Sequence, residues 1–230
     1  MAVLSEGPGQ IYASAAEAPL TPLIAIREPD LAMCTVPCFT PGTSICTSKG
    51  LCLVENLEVG DRVLTRDNGF KPIVWTGIKR VEGTQLKENS ALQPIFIQRG
   101  SLGEDCPNRD IMVSRQHRML VTGAQCELFF GSNEVLVKAH NLVSKPGVSE
   151  GQIAGVTYVH IMFDEHEIVL ANDVWTESFQ PDDSSVTGFD EIYIEELNLI
   201  FPELPGESRF AHYGAARLML KSHEAAVLLA

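Results

Sequence analysis

The sequence lacks any long apolar run, and no stretch approaches the roughly twenty consecutive apolar residues that a membrane-spanning helix needs. Basic residues are also scarce. The 17 Lys and Arg stand against 30 Asp and Glu, which gives a net charge of −13. An acidic surface repels phosphate backbones, so we expect no nucleic-acid partner.

The first residues contain no basic group beside an apolar core, so we expect no secretory signal. The compartment stays open between the cytoplasm and export by another route.

The cysteines contain no Cys-x-x-Cys pair, which argues against a structural zinc site. Their even number permits three disulfides, but a chain of 230 residues can bury a core without them. We therefore expect most of them to be buried and reduced, and we expect no cofactor and no metal. They are Cys34, Cys38, Cys46, Cys52, Cys106 and Cys126.

Between Cys38 and Phe179, short β-prone runs alternate with turn signals at close spacing, which predicts an all-β fold. Asn68-Gly69 is a good hairpin signal, Gly60-Asp61 marks another turn, and Asn172-Asp173 is a weaker one. The predicted strands are Leu51–Val54, Arg62–Thr65, Pro72–Ile78, Pro94–Ile97, Ile111–Val113, Arg118–Val121, Glu134–Val137, Val156–Phe163 and Glu167–Leu170.

The two ends of the chain differ from this central part. Residues 1–37 are rich in Ala, Pro and Gly and predict a loose leader. Residues 180–190 form an acidic loop without the ligand spacing of a calcium-binding EF-hand. Residues 208–230 are rich in helix formers and predict a C-terminal helix that packs by one apolar face, with Phe210, Tyr213, Arg217 and Leu220 at helical spacing. The predicted organisation is a leader (1–37), a β domain (38–180) and an extension (181–230).

Several motifs in the β domain occur in a recognisable order. CFTPGTSICTSKG begins at Cys38 and is followed by LVENLEVGDRVLTRDNG. The PIVW stretch, VSRQHRML and YVHIMFDEHEIVLANDVWTESF come later. Together these segments resemble the Hint module, the autoprocessing domain shared by Hedgehog proteins and inteins, and in particular its bacterial subfamily with CFTPGT-type starts. The resemblance implies a compact Hint fold and a first-residue cysteine that attacks the preceding peptide bond.

The chemistry of that cysteine follows from its position. The Cys38 sulfur can reach the carbonyl carbon of Pro37 through a five-membered ring, and the tether supplies most of the positioning. The product of this N-to-S acyl shift is a thioester. The departing nitrogen needs a proton, which His117 could donate, and the carbonyl oxygen needs a hydrogen bond, which the hydroxyl or the backbone N–H of Ser114 could supply. Either His117 or His166 could take the thiol proton. The predicted catalytic residues are Cys38, Ser114, His117 and His166.

The chain departs from splicing inteins at its second junction. Inteins end in His-Asn, whereas this region contains Trp175-Thr176-Glu177-Ser178-Phe179. We therefore expect cleavage of the Pro37–Cys38 bond without splicing. The substrate is the chain's own leader, and water or a small thiol is the acyl acceptor.

Three alternatives remain open from the sequence. The first is a catalytically inert Hint-fold module that serves structure or interaction in secreted or toxin-like proteins. The second is a cysteine hydrolase that acts in trans, although the usual signatures around its nucleophile are missing. The third is that Cys38 and a nearby histidine bind zinc, which would inhibit the thiol. His160 is interpreted as a structural residue, and Trp75 and Phe39 as core residues.

Overall fold

The computed structural model describes residues 36–181 and 213–230. Within these ranges the chain consists mainly of short strands with little helix, which confirms the all-β prediction. The strands are β1 (Ser44–Thr47), β2 (Gly50–Leu53), β3 (Arg62–Thr65), β4 (Gly69–Pro72), β5 (Trp75–Glu82), β6 (Ile95–Ile97), β7 (Ile111–Val113), β8 (Arg118–Thr122), β9 (Glu134–Lys138), β10 (Val148–Glu150), β11 (Gly155–Met162), β12 (Ile168–Ala171), β13 (Val174–Glu177) and β14 (Leu218–Met219). The helices are α1 (Gly83–Glu88), α2 (Ala124–Phe130) and α3 (Ser222–Leu229).

In the described residues the strands form three sheets. The largest follows the order β14-β9-β8-β13-β12-β1-β3-β4, with β2 paired to β1 and an added pairing of β12 with β3. A second sheet has the order β10-β6-β7, and β5 and β11 form an antiparallel ribbon. All pairs except β14–β9 are antiparallel, and β1–β2, β3–β4 and β12–β13 are hairpins with short turns. In addition, β12 returns to pair with β1 and β3. This return brings the last strands of the domain beside its first.

The turns follow the sequence signals. The β3–β4 hairpin closes at Gly69, whose φ of 64° favours glycine. Asn172 and Asp173 join β12 to β13 with φ values of 47° and 61°. Positive φ at both central residues is typical of the two-residue hairpin turn that matches strand twist. The weak turn signal at Asn172-Asp173 therefore marks a tight hairpin.

The apolar side chains bury in two clusters. The larger cluster combines residues of the main sheet with residues of the β10-β6-β7 sheet, and it contains Phe39, Val113 and Phe163. The second cluster lies on the β5–β11 ribbon and contains Trp75 and Cys38. Phe39 and Trp75 are 1% and 3% exposed, which confirms their prediction as core residues. The nucleophile candidate thus lies in the smaller core.

The C-terminal helix is shorter than predicted. In the described part of the extension, only Ser222–Leu229 is helical, and it buries Ala225 and Leu228 as an apolar face. Before it, Leu218 and Met219 form a strand parallel to β9. The edge of β9 offers backbone donors and acceptors that a strand satisfies and a helix does not, and this pairing overrides the helical propensity. Phe210 lies outside the described residues.

The predicted leader and acidic loop fall mostly outside the described ranges. Of the leader, Val36 and Pro37 are described, and both are buried. Of the extension, Pro181 and residues 213–230 are described. No described helix combines the length and the apolar character needed to cross a membrane.

Candidate active site

Phe39 fixes the position of Cys38 between two strands. Its backbone exchanges two hydrogen bonds of 2.9 Å with Val159 of β11, and it also bridges to Val113 of β7. Because Phe39 pairs with Val159, the preceding residue Cys38 lies beside His160, the next residue on β11. Ser114, directly after β7, donates its backbone N–H to the carbonyl of Cys38 at 2.9 Å. These backbone pairings bring together residues that are 76 and 122 positions apart in the chain.

The Cys38 thiol is buried in apolar surroundings. The residue is 3% exposed and belongs to the same cluster as Trp75 and Phe179. Burial raises the pKa of the thiol far above its usual range, although Ser114 acts in the opposite direction. The thiol is therefore protonated at neutral pH and needs a base within reach before it can act as a nucleophile.

His160 lies between the thiol and the carbonyl that the thiol would attack. Its Nδ1 is 3.1 Å from the carbonyl oxygen of Pro37, and its Nε2 is 3.7 Å from Sγ of Cys38. A carbonyl oxygen only accepts, so Nδ1 must carry the proton of the ring. Nε2 then presents a lone pair toward the thiol. One imidazole is thus arranged to take a proton from sulfur and to donate to the carbonyl oxygen.

Aromatic side chains surround this imidazole. Trp75 stacks on His160 with ring centroids 6.1 Å apart, and Phe179 meets it edge to face at 5.6 Å. Burial lowers the pKa of His160 to about 4, although the hydrogen bond with Pro37 opposes the shift. The ring is therefore neutral at physiological pH, as a general base must be.

Ser114 connects the nucleophile to the leader. Its hydroxyl accepts a hydrogen bond from the backbone N–H of Cys38 at 3.0 Å and donates one to the carbonyl of Val36 at 2.8 Å. The structure thus places Ser114 at the Pro37–Cys38 bond, on the side of the nitrogen. The hydrogen-bond partner of the Pro37 carbonyl oxygen is His160 instead.

His117 is buried directly before β8, with its ring 4.5 Å from that of Phe39. Its Nε2 lies 2.5 Å from the hydroxyl of Thr176, which itself donates to the carbonyl of Arg118. Since the hydroxyl has a single proton, Nε2 of His117 must be the donor. Nδ1 is then unprotonated, and it has no hydrogen-bond partner among the described residues. Burial also lowers the pKa of His117 to about 4, against the opposing charge of Glu177.

His166 lies in a buried charged group rather than in contact with the thiol. Its Nδ1 accepts the backbone N–H of Ala216 at 3.0 Å, so its proton is on Nε2, which lies 3.4 Å from Glu177. That separation is long for a hydrogen bond, and we treat the contact as electrostatic. Glu177 is fully buried and also pairs with Arg118 at 3.1 Å. Burial alone would raise the pKa of Glu177, but Arg118 and His166 hold it below its usual range.

Two of the predicted site residues, Cys38 and Ser114, contact each other directly. The hydrogen bonds and charge contacts of His117 and His166 are instead with Thr176, Glu177 and Ala216. The residue that sequence reasoning missed is His160. Its signal was a single ionisable side chain within the otherwise apolar run Val159–Phe163, where a buried polar residue requires a partner.

Among the described residues, no group of three or more His, Cys, Asp or Glu is placed to hold a metal ion. Cys38 and His160 could supply two ligands, whereas a catalytic zinc site usually has three protein ligands.

The chain is similar to one known family and to several solved structures. Residues 37–183 match the family model described as the Hint domain. Among solved structures, the gp41-1 intein is 13% identical over 61% of this chain and 97% of its own, with a TM-score of 0.37. A bacterial intein-like domain from Clostridium thermocellum is 16% identical over 61% of this chain and 97% of its own, with a TM-score of 0.41. No curated protein matches the chain.

Proposed function

Because this chain belongs to the Hint domain family, the fold class of self-processing domains, we propose that it cleaves its own Pro37–Cys38 peptide bond through a Cys38 thioester. The observation that carries the proposal is the position of His160, whose two nitrogens face the Cys38 sulfur and the Pro37 carbonyl oxygen. A buried residue with one function would need only one of these contacts. The pair of contacts matches the two tasks of acyl transfer, proton removal and oxyanion stabilisation.

In the first step, the proton on Sγ of Cys38 moves to Nε2 of His160 while sulfur attacks the carbonyl carbon of Pro37. The ring becomes an imidazolium, and its Nδ1–H faces the oxygen on which negative charge develops. The resting thiol also donates to the carbonyl of Val36 at 3.2 Å, so its proton must first turn toward His160.

In the second step, the C–N bond breaks and the nitrogen of Cys38 takes up one proton. We propose that His117 delivers this proton from Nδ1, which requires its ring to be an imidazolium that also keeps the proton on Nε2. His117 takes the proton from water beforehand, and afterwards His160 releases to water the proton that it took from the thiol. The thiol therefore loses one proton, the amine gains one, and both histidines return to their resting forms. Ser114 holds the nitrogen in place through its hydroxyl. His166 would act through Glu177, because its contact is with that carboxylate.

The thioester between Pro37 and Cys38 is then opened by water or by a small thiol. Hydrolysis gives a leader with a free carboxyl group at Pro37, and a small thiol gives a leader thioester at the same residue. Both reactions release a domain that begins at Cys38 with a free amine. The bond to the domain is not remade, which separates this reaction from splicing.

The test is to incubate the purified chain with and without a small alkanethiol and to weigh the fragments by mass spectrometry. We expect fragments 1–37 and 38–230, with the leader carrying the added thiol when it is present. Cys38→Ala should stay intact. Cys126→Ala is the matched control, because this cysteine is equally buried but lies in the other cluster. Intact wild-type protein after prolonged incubation with thiol would refute the proposal.

One observation favours the second candidate, an inert Hint-fold module. The thiol is almost completely buried, and the histidine predicted from the motif does not contact it. In that case the leader remains attached, and the chain serves structure or interaction. The same incubation separates the two functions.

A further inference from the structure

Val36 is completely buried, although it belongs to the leader and precedes the residues that match the family model. It is a member of the smaller apolar cluster. The other buried members of this cluster are Cys38, Trp75, Val81, Leu86, Val156, Tyr158, Met162 and Phe179. The β domain therefore supplies a closed apolar site for a side chain that would leave with the leader.

The backbone of Val36 is held as firmly as its side chain. Its carbonyl accepts a hydrogen bond from the Ser114 hydroxyl at 2.8 Å and another from the Cys38 thiol at 3.2 Å. Both donors belong to the domain side of the scissile bond. A residue that is anchored by its side chain and its carbonyl fixes the approach of the next residue, Pro37.

We infer that the domain recognises its leader through a subsite for residue 36, which takes a branched aliphatic side chain. The inference rests on the proposed function for its consequence, which is selection of the chain to be cleaved. The polar groups of the subsite are the Tyr158 hydroxyl, the Trp75 indole N–H and the Cys38 thiol, and all other members are aliphatic, aromatic or thioether side chains. The Tyr158 hydroxyl already donates to the carbonyl of Leu92 at 2.7 Å, and the thiol donates to the carbonyl of Val36 at 3.2 Å. A polar side chain at position 36 would therefore lose its hydration in a largely apolar environment.

This subsite predicts an order of substitutions. Val36→Ile keeps the branched apolar shape and should still dock. Val36→Thr has nearly the same shape but buries a hydroxyl group, and Val36→Asn adds a larger polar group. Docking should therefore weaken from Ile to Thr to Asn. Loss of one buried aliphatic side chain corresponds to about tenfold or more in a docking equilibrium.

The experiment uses the full chain and two readouts. The first is alkylation of Cys38 by iodoacetamide, followed at peptide level by mass spectrometry, because docking of Val36 covers the thiol. The second is the rate of Pro37–Cys38 cleavage. We expect Val36→Asn to speed alkylation by about tenfold or more and to slow cleavage by a similar factor. Val36→Ile should change neither readout by more than about twofold.

Val135→Thr is the matched control, since Val135 is also fully buried but lies in the larger cluster. It should lower the melting temperature without raising Cys38 alkylation at a temperature where the chain is folded. Equal Cys38 protection in the wild type and Val36→Asn would overturn the subsite. If alkylation follows the predicted order but no variant cleaves, the subsite stands as a leader-docking site and only the proposed cleavage fails.

Discussion

Nδ1 of His160 lies 3.1 Å from the carbonyl oxygen of Pro37, and this contact determines which nitrogen of the ring faces the thiol. Since the oxygen can only accept, the lone pair on Nε2 points toward Cys38, 3.7 Å away. The order of the two contacts matters, because the opposite tautomer would leave the carbonyl without a donor and the thiol without a base.

The first prediction concerns His160. In His160→Asn, the side-chain amide can still donate to the Pro37 carbonyl, but it provides no base for the thiol. Cleavage should slow by about 10²–10⁴-fold, the usual contribution of a positioned general base. His160→Ala, which removes both contacts, should be slower still. The measurement is the rate of appearance of fragment 38–230 by mass spectrometry.

His140→Asn is the control for that experiment. His140 is only partly buried, and its Nδ1 contacts the carbonyl of Arg115 rather than any group at the scissile bond. Its substitution should leave the cleavage rate within about twofold. A His160→Asn chain that cleaves as fast as the His140→Asn chain would remove His160 from the mechanism.

The second prediction concerns stability at acidic pH. His117 and His160 have pKa values lowered to about 4 by burial, whereas an unfolded histidine titrates near 6.5. Between these values the unfolded chain binds more protons, so the free energy of unfolding must fall as the pH falls from about 6.5 to about 4. The loss amounts to roughly 3 kcal/mol for each histidine.

Urea unfolding of the uncleavable Cys38→Ala chain at several pH values measures this loss. In the same background, His160→Gln should give a flatter dependence over the same range, because one titrating group is gone. Glu177 adds to the loss at lower pH. Its pKa is lowered in the folded chain, so the stability that its carboxylate contributes is lost as the pH falls below about 4.5. A pH-independent stability between 6.5 and 4.5 would contradict the buried neutral state of both rings.

Much of the β domain could be predicted from the sequence, because strand and turn signals are local. Arg62–Thr65 and Ile111–Val113 have the predicted bounds, and the Asn68-Gly69 signal closes a hairpin. The segment Leu218–Met219 could not be predicted in this way. Its strand depends on the free edge of β9, which lies more than 80 residues away in the chain, while its own composition favours a helix.

The candidate site follows the same division. Cys38 and Ser114 were predicted from motifs, and the structure brings them into contact. His160 was not, because its role depends on the pairing of Phe39 with Val159, which no local pattern reveals. The catalytic roles of His117 and His166 stay predictions. Substitution of either residue would also remove a buried contact, with Thr176 or with Glu177.

The third prediction concerns the ion pair of Arg118 and Glu177. Glu177 is fully buried, and Arg118 supplies both a backbone N–H at 2.8 Å and its guanidinium at 3.1 Å. Arg118→Met removes the guanidinium and leaves a buried carboxylate without its cationic partner, 3.4 Å from Nε2 of His166. The free energy of unfolding should fall by about 3–5 kcal/mol, as is usual when one partner of a buried pair is removed.

The double variant Arg118→Met/Glu177→Leu tests the cause of that loss. It removes the uncompensated charge, so it should be more stable than Arg118→Met alone, and urea unfolding gives both values. A double variant that is less stable than the single one would indicate that Glu177 contributes through packing and hydrogen bonds rather than through its pairing with Arg118.

The fourth prediction concerns Gly77, which lies opposite His160 in the β5–β11 ribbon. A Cβ at this position would approach Cη2 and Cζ2 of Trp75 to 2.4 and 2.7 Å, so the indole lies where any side chain would be. Gly77→Ala must push the indole away from the strand and therefore disturb its stacking on His160. We expect a shifted tryptophan fluorescence maximum and slower cleavage.

Gly155→Ala is the matched control in the partner strand, because its Cβ would meet only the Val81 carbonyl oxygen at 3.6 Å. If both variants fluoresce and cleave like the wild type, the indole does not hold His160 in place.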